Sequence, residues 1–121
     1  VAADVGVNPD ARGRASPVVV RLLELKTLAA FESADFFSLF DRDKDTLGAE
    51  LVAREELQLQ PGEKKTLQRS LPPETKYLGV VAAFRDLERA RWRASIPVMP
   101  NQTTPLTIKV EPRAVSISTN K

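Results

Sequence analysis

Apolar and polar residues alternate along most of this chain, and a period of two predicts β-strands with one buried face. Pro17 to Thr27 carries the strongest signal. Val18, Val19, Val20, Leu22, Leu23 and Leu25 place apolar side chains on both phases, which suits a central strand covered on both faces. Tyr77 to Arg85 reads the same way, with Leu78, Val80, Ala82 and Phe84 on one face and Gly79, Val81 and Ala83 on the other. Glu55 to Gln60 has a half-buried pattern, Leu57 and Leu59 alternating with Glu56, Gln58 and Gln60. Lys65 to Leu71 alternates Leu67 and Leu71 with Thr66, Gln68 and Ser70. Trp92, Ala94, Ile96 and Val98 form one face of the next strand, against Arg91, Arg93 and Ser95. Leu106, Ile108 and Val110 alternate with Thr107, Lys109 and Glu111, and Val115 and Ile117 continue after Pro112. Pro112 cannot donate to a ladder, so it predicts a bulge or an edge. Ala2 to Val7 is a weaker candidate strand.

One stretch breaks this rhythm. From Ser33 to Arg54 the spacing is helical: Phe36 and Phe40 are four apart, Phe37 and Phe40 three apart. Ser33 is the expected cap, with Asp35 near the positive end of the helix. A second turn from Thr46 places Leu47 and Leu51 on one face, although Gly48 weakens it. The sum is seven or eight short strands with one helical insertion, about residues 31–54, after the second strand. Turn signals at Asn8-Pro9-Asp10, Pro61-Gly62, Pro72-Pro73, Pro97, Pro100-Asn101, Pro105 and Pro112 separate the segments. Short strands at this spacing predict a mainly β, two-sheet sandwich.

The chain has 121 residues, enough for one domain spanning 1–121 and for a core that needs no staples. Hydrophobic residues make up 42% and charged residues 28%, a globular composition. The net charge is +2, and the pI of 9.2 follows from the absence of groups that titrate near neutrality rather than from a basic surface. Such a balance gives no reason to expect a nucleic-acid partner. Zero Cys excludes disulfides, Cys-based zinc sites and thiol nucleophiles. Zero His excludes Ser-His-Asp and Cys-His mechanisms and removes the most used general base. Carboxylate-only catalysis stays open in principle, but nothing brings Glu55, Glu56 or any other pair of acids together. No enzyme, cofactor or metal is expected. The chain begins at Val1 rather than Met, which reads as a processed or trimmed protein, and no apolar run approaches the length of a membrane helix.

Several motifs also have plainer readings. Asp41, Asp43 and Asp45 followed by Gly48 resemble half of a calcium loop, but the positions needing Gly and Glu hold Thr46 and Val52. The expectation is a solvated link between helices. Arg85, Arg89, Arg91 and Arg93 surround Trp92, yet Asp86 and Glu88 interleave and Trp92 lies on an apolar phase, so a charged turn above a core Trp is expected. Phe31, Phe36, Phe37 and Phe40 are expected in the core, since a surface helix buries its apolar stripe. Asn101-Gln102-Thr103 fits the N-glycosylation pattern and is read as chance.

The loop Asn8-Pro9-Asp10-Ala11-Arg12-Gly13-Arg14-Ala15-Ser16 is long for a strand connection, and few of its residues are expected to be buried. Asn8, Pro9 and Asp10 favour a turn, Gly13 permits positive φ, and Arg12 and Arg14 flank that glycine. Loops held by a rigid sheet carry function more often than sheet faces do. These residues also carry a resemblance. Asn8-Pro9-Asp10, Gly13-Arg14, Ser16-Pro17-Val18-Val19-Val20-Arg21 and Leu25-Lys26 resemble the opening of the TssJ (VasD-like) family, outer-membrane lipoproteins of the bacterial type VI secretion system. The likeness continues through Ala34-Asp35-Phe36-Phe37, Leu59-Gln60-Pro61-Gly62-Glu63, Tyr77 to Arg85, Trp92 and Ile108-Lys109-Val110, and covers nearly the whole chain.

The resemblance implies a transthyretin-like β-sandwich with a small helical addition. It also implies a lipid tether to the inner leaflet of the outer membrane, a periplasmic orientation, and the periplasmic C-terminal region of TssM as partner. TssL joins them indirectly in one membrane complex. The family's loop between strands one and two carries the TssM contact, which by position is Asn8, Pro9, Asp10, Ala11, Arg12, Gly13, Arg14, Ala15 and Ser16 here. The family's acylated Cys is missing, so the expectation is a soluble part cut just after the anchor. An alternative of another class is a small ligand-binding module of the carbohydrate type. It needs exposed aromatics on a flat face, for which Trp92 and Tyr77 are the natural candidates.

Overall fold

The computed structural model describes residues 2–9, 12–64, 67–70, 73–85, 87, 90–98 and 103–119. Its strands are β1 (Ala2–Ala3), β2 (Val18–Leu25), β3 (Leu51–Leu59), β4 (Leu67–Ser70), β5 (Tyr77–Ala82), β6 (Arg93–Pro97), β7 (Thr103–Glu111) and β8 (Ala114–Thr119). Helices α1 (Ala29–Ser33), α2 (Phe36–Asp41) and α3 (Asp43–Leu47), then a 3-10 turn at Gly48–Glu50, lie between β2 and β3. One sheet runs β3-β2-β5-β6, antiparallel throughout. The other is built on β7, with β8 along one edge, and parallel β1 and antiparallel β4 sharing the other. This is the expected mainly β architecture with a helical insertion after the second strand.

The two phases of β2 explain why the chain needs both layers. Val18, Val20 and Leu22 face the other sheet and join Leu59, Leu78, Val80, Ala82, Ile108, Val110 and Val115 in the inter-sheet core. Leu23 and Leu25 face outward and would be wet without the helices. They pack instead with Val81, Phe31, Leu39 and Leu47 in a second core. Helices of five or six residues do not persist alone, so side chains of the sheet must hold them. Arg93 donates from Nη1 to the carbonyls of Phe31 (2.9 Å) and Ala34 (2.7 Å) at the end of α1. Arg21 donates to the Phe40 carbonyl of α2, and its guanidinium stacks 4.2 Å above the Phe40 ring. Charged donors on orphan C-terminal carbonyls are stronger than neutral ones.

Several boundaries differ from expectation. The insertion begins at Ala29, and Ser33 ends a helix instead of capping one: its hydroxyl returns to the Ala29 carbonyl (2.9 Å). Asp35 is the cap of α2, accepting 2.7 Å from the Ser38 amide. Leu51 opens β3 instead of continuing a helix, because Gly48–Glu50 turns the chain back onto β2, where Leu51 pairs with Leu25. Pro105 lies inside β7 opposite Gln68, not in a turn. Pro112 sits in the β7–β8 turn with Arg113, neither a bulge nor an edge. The first strand is only Ala2–Ala3, since the chain turns at Asp4, whose side chain accepts from the Gly6 amide. Lys65, Thr66 and Leu71 of the expected fourth strand, and the turn residues Pro72 and Pro100, lie outside the described residues.

Asp35 supports a prediction. The Ser38 amide holds its carboxyl below the ordinary value of 3.8. A depressed carboxyl stabilises the fold above its unfolded pKa, and that contribution is lost as pH falls through the lower folded value. Asp35→Ala is expected to lower the melting temperature at pH 7, by a margin that narrows as pH drops below 3.8, while Asp35→Asn keeps the cap. Thermal melts of the three proteins at pH 7 and pH 3 check this, and a margin that does not narrow would refute it.

Candidate functional site in the loop between β1 and β2

The loop has a buried neck and an exposed tip. At the neck Asn8 is 3% exposed and Ser16 8%, contrary to the expectation that little of the loop is buried. The Asn8 amide group is used at both ends. Its Nδ2 donates to the Pro17 carbonyl (2.9 Å) and its Oδ1 accepts from the Arg85 amide (2.7 Å). The Ser16 amide donates to the Val7 carbonyl (3.0 Å), and the Ser16 hydroxyl donates to the Asn8 carbonyl. That hydroxyl also accepts from Arg85 Nε (3.1 Å). The Asn8 amide closes onto the Pro112 carbonyl of the β7–β8 turn (3.1 Å). Asn8 has φ 51°, a left-handed conformation that Asn tolerates better than most residues with a side chain.

Beyond the neck, Arg12, Gly13 and Arg14 are exposed and Pro9 and Ala15 half-buried. Gly13 has φ 78°, which only glycine adopts freely, and no atom approaches its Cβ position within 4 Å. The tip thus places two exposed arginines on either side of a turn, with open space at the Gly13 Cβ position. Asp10 and Ala11 lie outside the described residues. Of the nine predicted site residues, the structure therefore divides the seven it describes: Asn8 and Ser16 build the neck, Pro9 and Ala15 are half-buried, and Arg12, Gly13 and Arg14 face solvent.

The other candidates are structural. Asp43 is 4% exposed, not solvated, and its carboxylate meets Arg54 at 2.6 Å and Arg21 at 3.8 Å. Asp41 and Asp45 stay exposed, and among the described residues no cluster of three acids is placed to hold a metal. Glu56 pairs with Arg21 (2.5 Å), while Glu55 lies on the opposite phase of β3. Among the described residues, the arginines near Trp92 do not form one patch. Arg93 reaches the helix, with its guanidinium 4.7 Å from the Trp92 ring centre, and Arg85 reaches the loop neck. Asp86, Glu88 and Arg89 lie outside the described residues, as do Asn101 and Gln102. Trp92 packs edge-on to Phe36 (5.3 Å) and touches both cores, so it offers no flat platform for a sugar, and Tyr77 is half-buried against the helix layer. Phe31 is buried, and Phe36 and Phe40 are half-buried and stacked (5.1 Å), but Phe37 is 65% exposed and leaves the expected core. No helix among the described residues is long and apolar enough to cross a membrane. Arg85 is the residue that pattern reasoning missed. It bonds Ser16 across 69 positions of sequence, and no local signal announces such a pairing.

Comparison with known proteins adds the context. Residues 1–113 match the family described as type VI secretion lipoprotein, VasD, EvfM, TssJ. No curated protein sequence matches. The chain is similar to the T6SS lipoprotein TssJ1 of Pseudomonas aeruginosa, known from a crystal structure, with 42% identity and a TM-score of 0.94 over 99% of this chain and 92% of that one. It is also similar to a chain of a structure named "Type VI membrane complex", with 29% identity and a TM-score of 0.83 over 97% and 92%. A further likeness is to a chain in a structure named for the T6SS protein TssM C-terminal domain (869–1107) from EAEC, with 30% identity and a TM-score of 0.78 over 97% and 95%.

Proposed function

We propose, from the premise that this chain belongs to the type VI secretion lipoprotein family of TssJ and VasD, that it is a non-catalytic structural part of the secretion membrane complex. In this reading it docks the periplasmic C-terminal region of TssM through the loop Asn8–Ser16, and meets TssL only through the assembled complex. A lipid at the family's mature N-terminus tethers it to the outer membrane, facing the periplasm. The observation that carries the reading is the loop itself: an exposed Arg12-Gly13-Arg14 tip on a neck fixed by buried Asn8 and Ser16. A pre-shaped loop loses little conformational freedom on docking, which favours affinity. The structure named for the TssM domain supports the partner. The residue range in its name is roughly twice the length of this chain, yet this chain covers 95% of the matched polypeptide. The matched polypeptide is therefore shorter than the named domain, as a TssJ-like chain beside it would be.

Calorimetric titration with the TssM C-terminal domain tests this. Saturable binding is expected, weakened in a folded Arg12→Ala, Arg14→Ala variant. Each arginine contributes under about 1 kcal/mol if it stays at a wet rim, and about 2 kcal/mol or more if it is desolvated against an acidic group. Binding left intact by the variant would move the site away from the loop, and no binding between folded proteins would remove TssM as the partner.

A further inference from the structure

We infer that Arg85, far from the loop in sequence, is the positioning residue that fixes the shape of the docking loop; this rests on the loop being the docking site. The hydrogen bonds at the neck form a closed accounting. The Ser16 hydroxyl has one proton, which goes to the Asn8 carbonyl, and it receives its second bond from Arg85 Nε (3.1 Å). The Asn8 side chain has a donor end on Pro17 (2.9 Å) and an acceptor end on the Arg85 amide (2.7 Å), so its orientation is determined by its partners. Arg85 therefore touches both ends of the loop: Asn8 through its backbone and Ser16 through its side chain. It follows directly on Phe84, which is 4% exposed in the inter-sheet core, so its backbone is set by the sandwich rather than by the loop. Rigidity passes from the core through Phe84 and Arg85 to the two residues that form the neck of the loop.

The two contacts have separable consequences. Substituting the Arg85 side chain leaves the backbone bond to Asn8 in place and removes only the tie to Ser16. Ser16→Ala removes the same tie from the other end, together with the bond to Asn8. Asn8→Asp is nearly isosteric but turns a carboxylate oxygen toward the Pro17 carbonyl, replacing a hydrogen bond with repulsion. None of these side chains lies in the exposed tip.

The test uses amide ¹⁵N relaxation on the intact protein without partner, and calorimetry with the TssM C-terminal domain. In the wild type the Gly13 amide is expected near the rigid range, with an order parameter of about 0.8, falling to about 0.6 in Arg85→Met and Ser16→Ala. Affinity for the TssM domain is expected to weaken about fivefold in each, the equivalent of one net hydrogen bond. Arg85→Lys, which keeps a donor, should recover part of both effects. Order parameters at β2 and β5 amides should stay unchanged in all three, which confines the loosening to the loop, and thermal melts separate it from a general loss of stability. Unchanged Gly13 order in both Arg85→Met and Ser16→Ala overturns the inference, whatever TssM does. Loosened Gly13 with undiminished binding overturns the part that links loop shape to docking. If the wild type does not bind, the docking reading has failed, and the relaxation data still decide whether Arg85 holds the loop.

Discussion

Phe31→Ala is expected to destabilise the folded chain by about 3–5 kcal/mol, among the largest effects of any single truncation. The Phe31 side chain is 1% exposed and sits between Leu23, Leu25 and Val81 of the sheet and Leu39 and Leu47 of the helices. Without it the insertion loses its main apolar anchor, and the α1 carbonyls held by Arg93 lose the packing that positions them. In a chain of this size the melting temperature should fall by roughly 10–25 °C. The complementary change is Gly79→Ala. A Cβ at Gly79 would lie 2.8 Å from Phe31 Cε1 and Cζ, closer than real Cβ contacts come, and 3.2 Å from Leu25 Cδ1, a tight contact. Overpacking of that kind costs about 1–3 kcal/mol. Because the two residues share one contact, Gly79→Ala should cost less in a Phe31→Leu background than in the wild type. Trp92 touches both cores, so its fluorescence and the far-UV dichroism should follow one transition if residues 1–121 form one domain, as we propose. A Phe31→Ala loss under about 1 kcal/mol would mean that the helices contribute little to the fold.

The same contact shows why some of the structure was legible in sequence and some was not. β2 and β5 carry apolar residues on both phases, and burial on both faces is the physical meaning of that pattern, so their central places were readable. The position of the helical insertion was readable for a related reason: Phe36 and Phe40 repeat at a helical spacing after the strongest strand. Its limits were not. Ser33 and Asp35 are both good caps by type, and the start of α2 at Phe36, which puts the Ser38 amide over Asp35, decides between them. Pro105 looks like punctuation, yet a strand accommodates it where no ladder bond is required of its nitrogen. In the candidate site, the tip was legible because Gly13 and the flanking arginines have strong local preferences. The neck was not, because Asn8, Ser16 and Arg85 meet only after β1, β2 and β5 have taken their places. The same limit hid Arg21 and Arg93, which look like exposed strand charges and instead hold the helix ends.

Asp43 separates these two kinds of reading most sharply, because its neighbours Asp41 and Asp45 share its type and spacing but not its surroundings. Asp43→Ala is expected to cost about 3 kcal/mol, since it takes one of two carboxylate partners from buried Arg21 and the 2.6 Å partner from Arg54. The Asp43 side chain is 5% exposed, and it faces Arg21, itself 11% exposed, and Arg54, which is 42% exposed. Arg21 keeps Glu56 and the Phe40 carbonyl, but its Nε is buried without a partner among the described residues, so it has little capacity to lose a further contact. Arg54→Met should cost less, about 1–2 kcal/mol, because the buried Asp43 carboxylate loses its 2.6 Å partner but keeps Arg21 at 3.8 Å. Asp41→Ala and Asp45→Ala should stay within about 0.5 kcal/mol of the wild type, as exposed positions do. Urea titrations of the four variants measure these differences, and added calcium should not shift the midpoint of any of them. If the alternating acids worked together as a cation loop, all three alanine variants would lose the same calcium-dependent increment. If Asp43 instead serves to tie α3 to the outer face of β2 and β3, the loss falls on that one acid and is nearly independent of salt, because the pair is shielded from ions in solution.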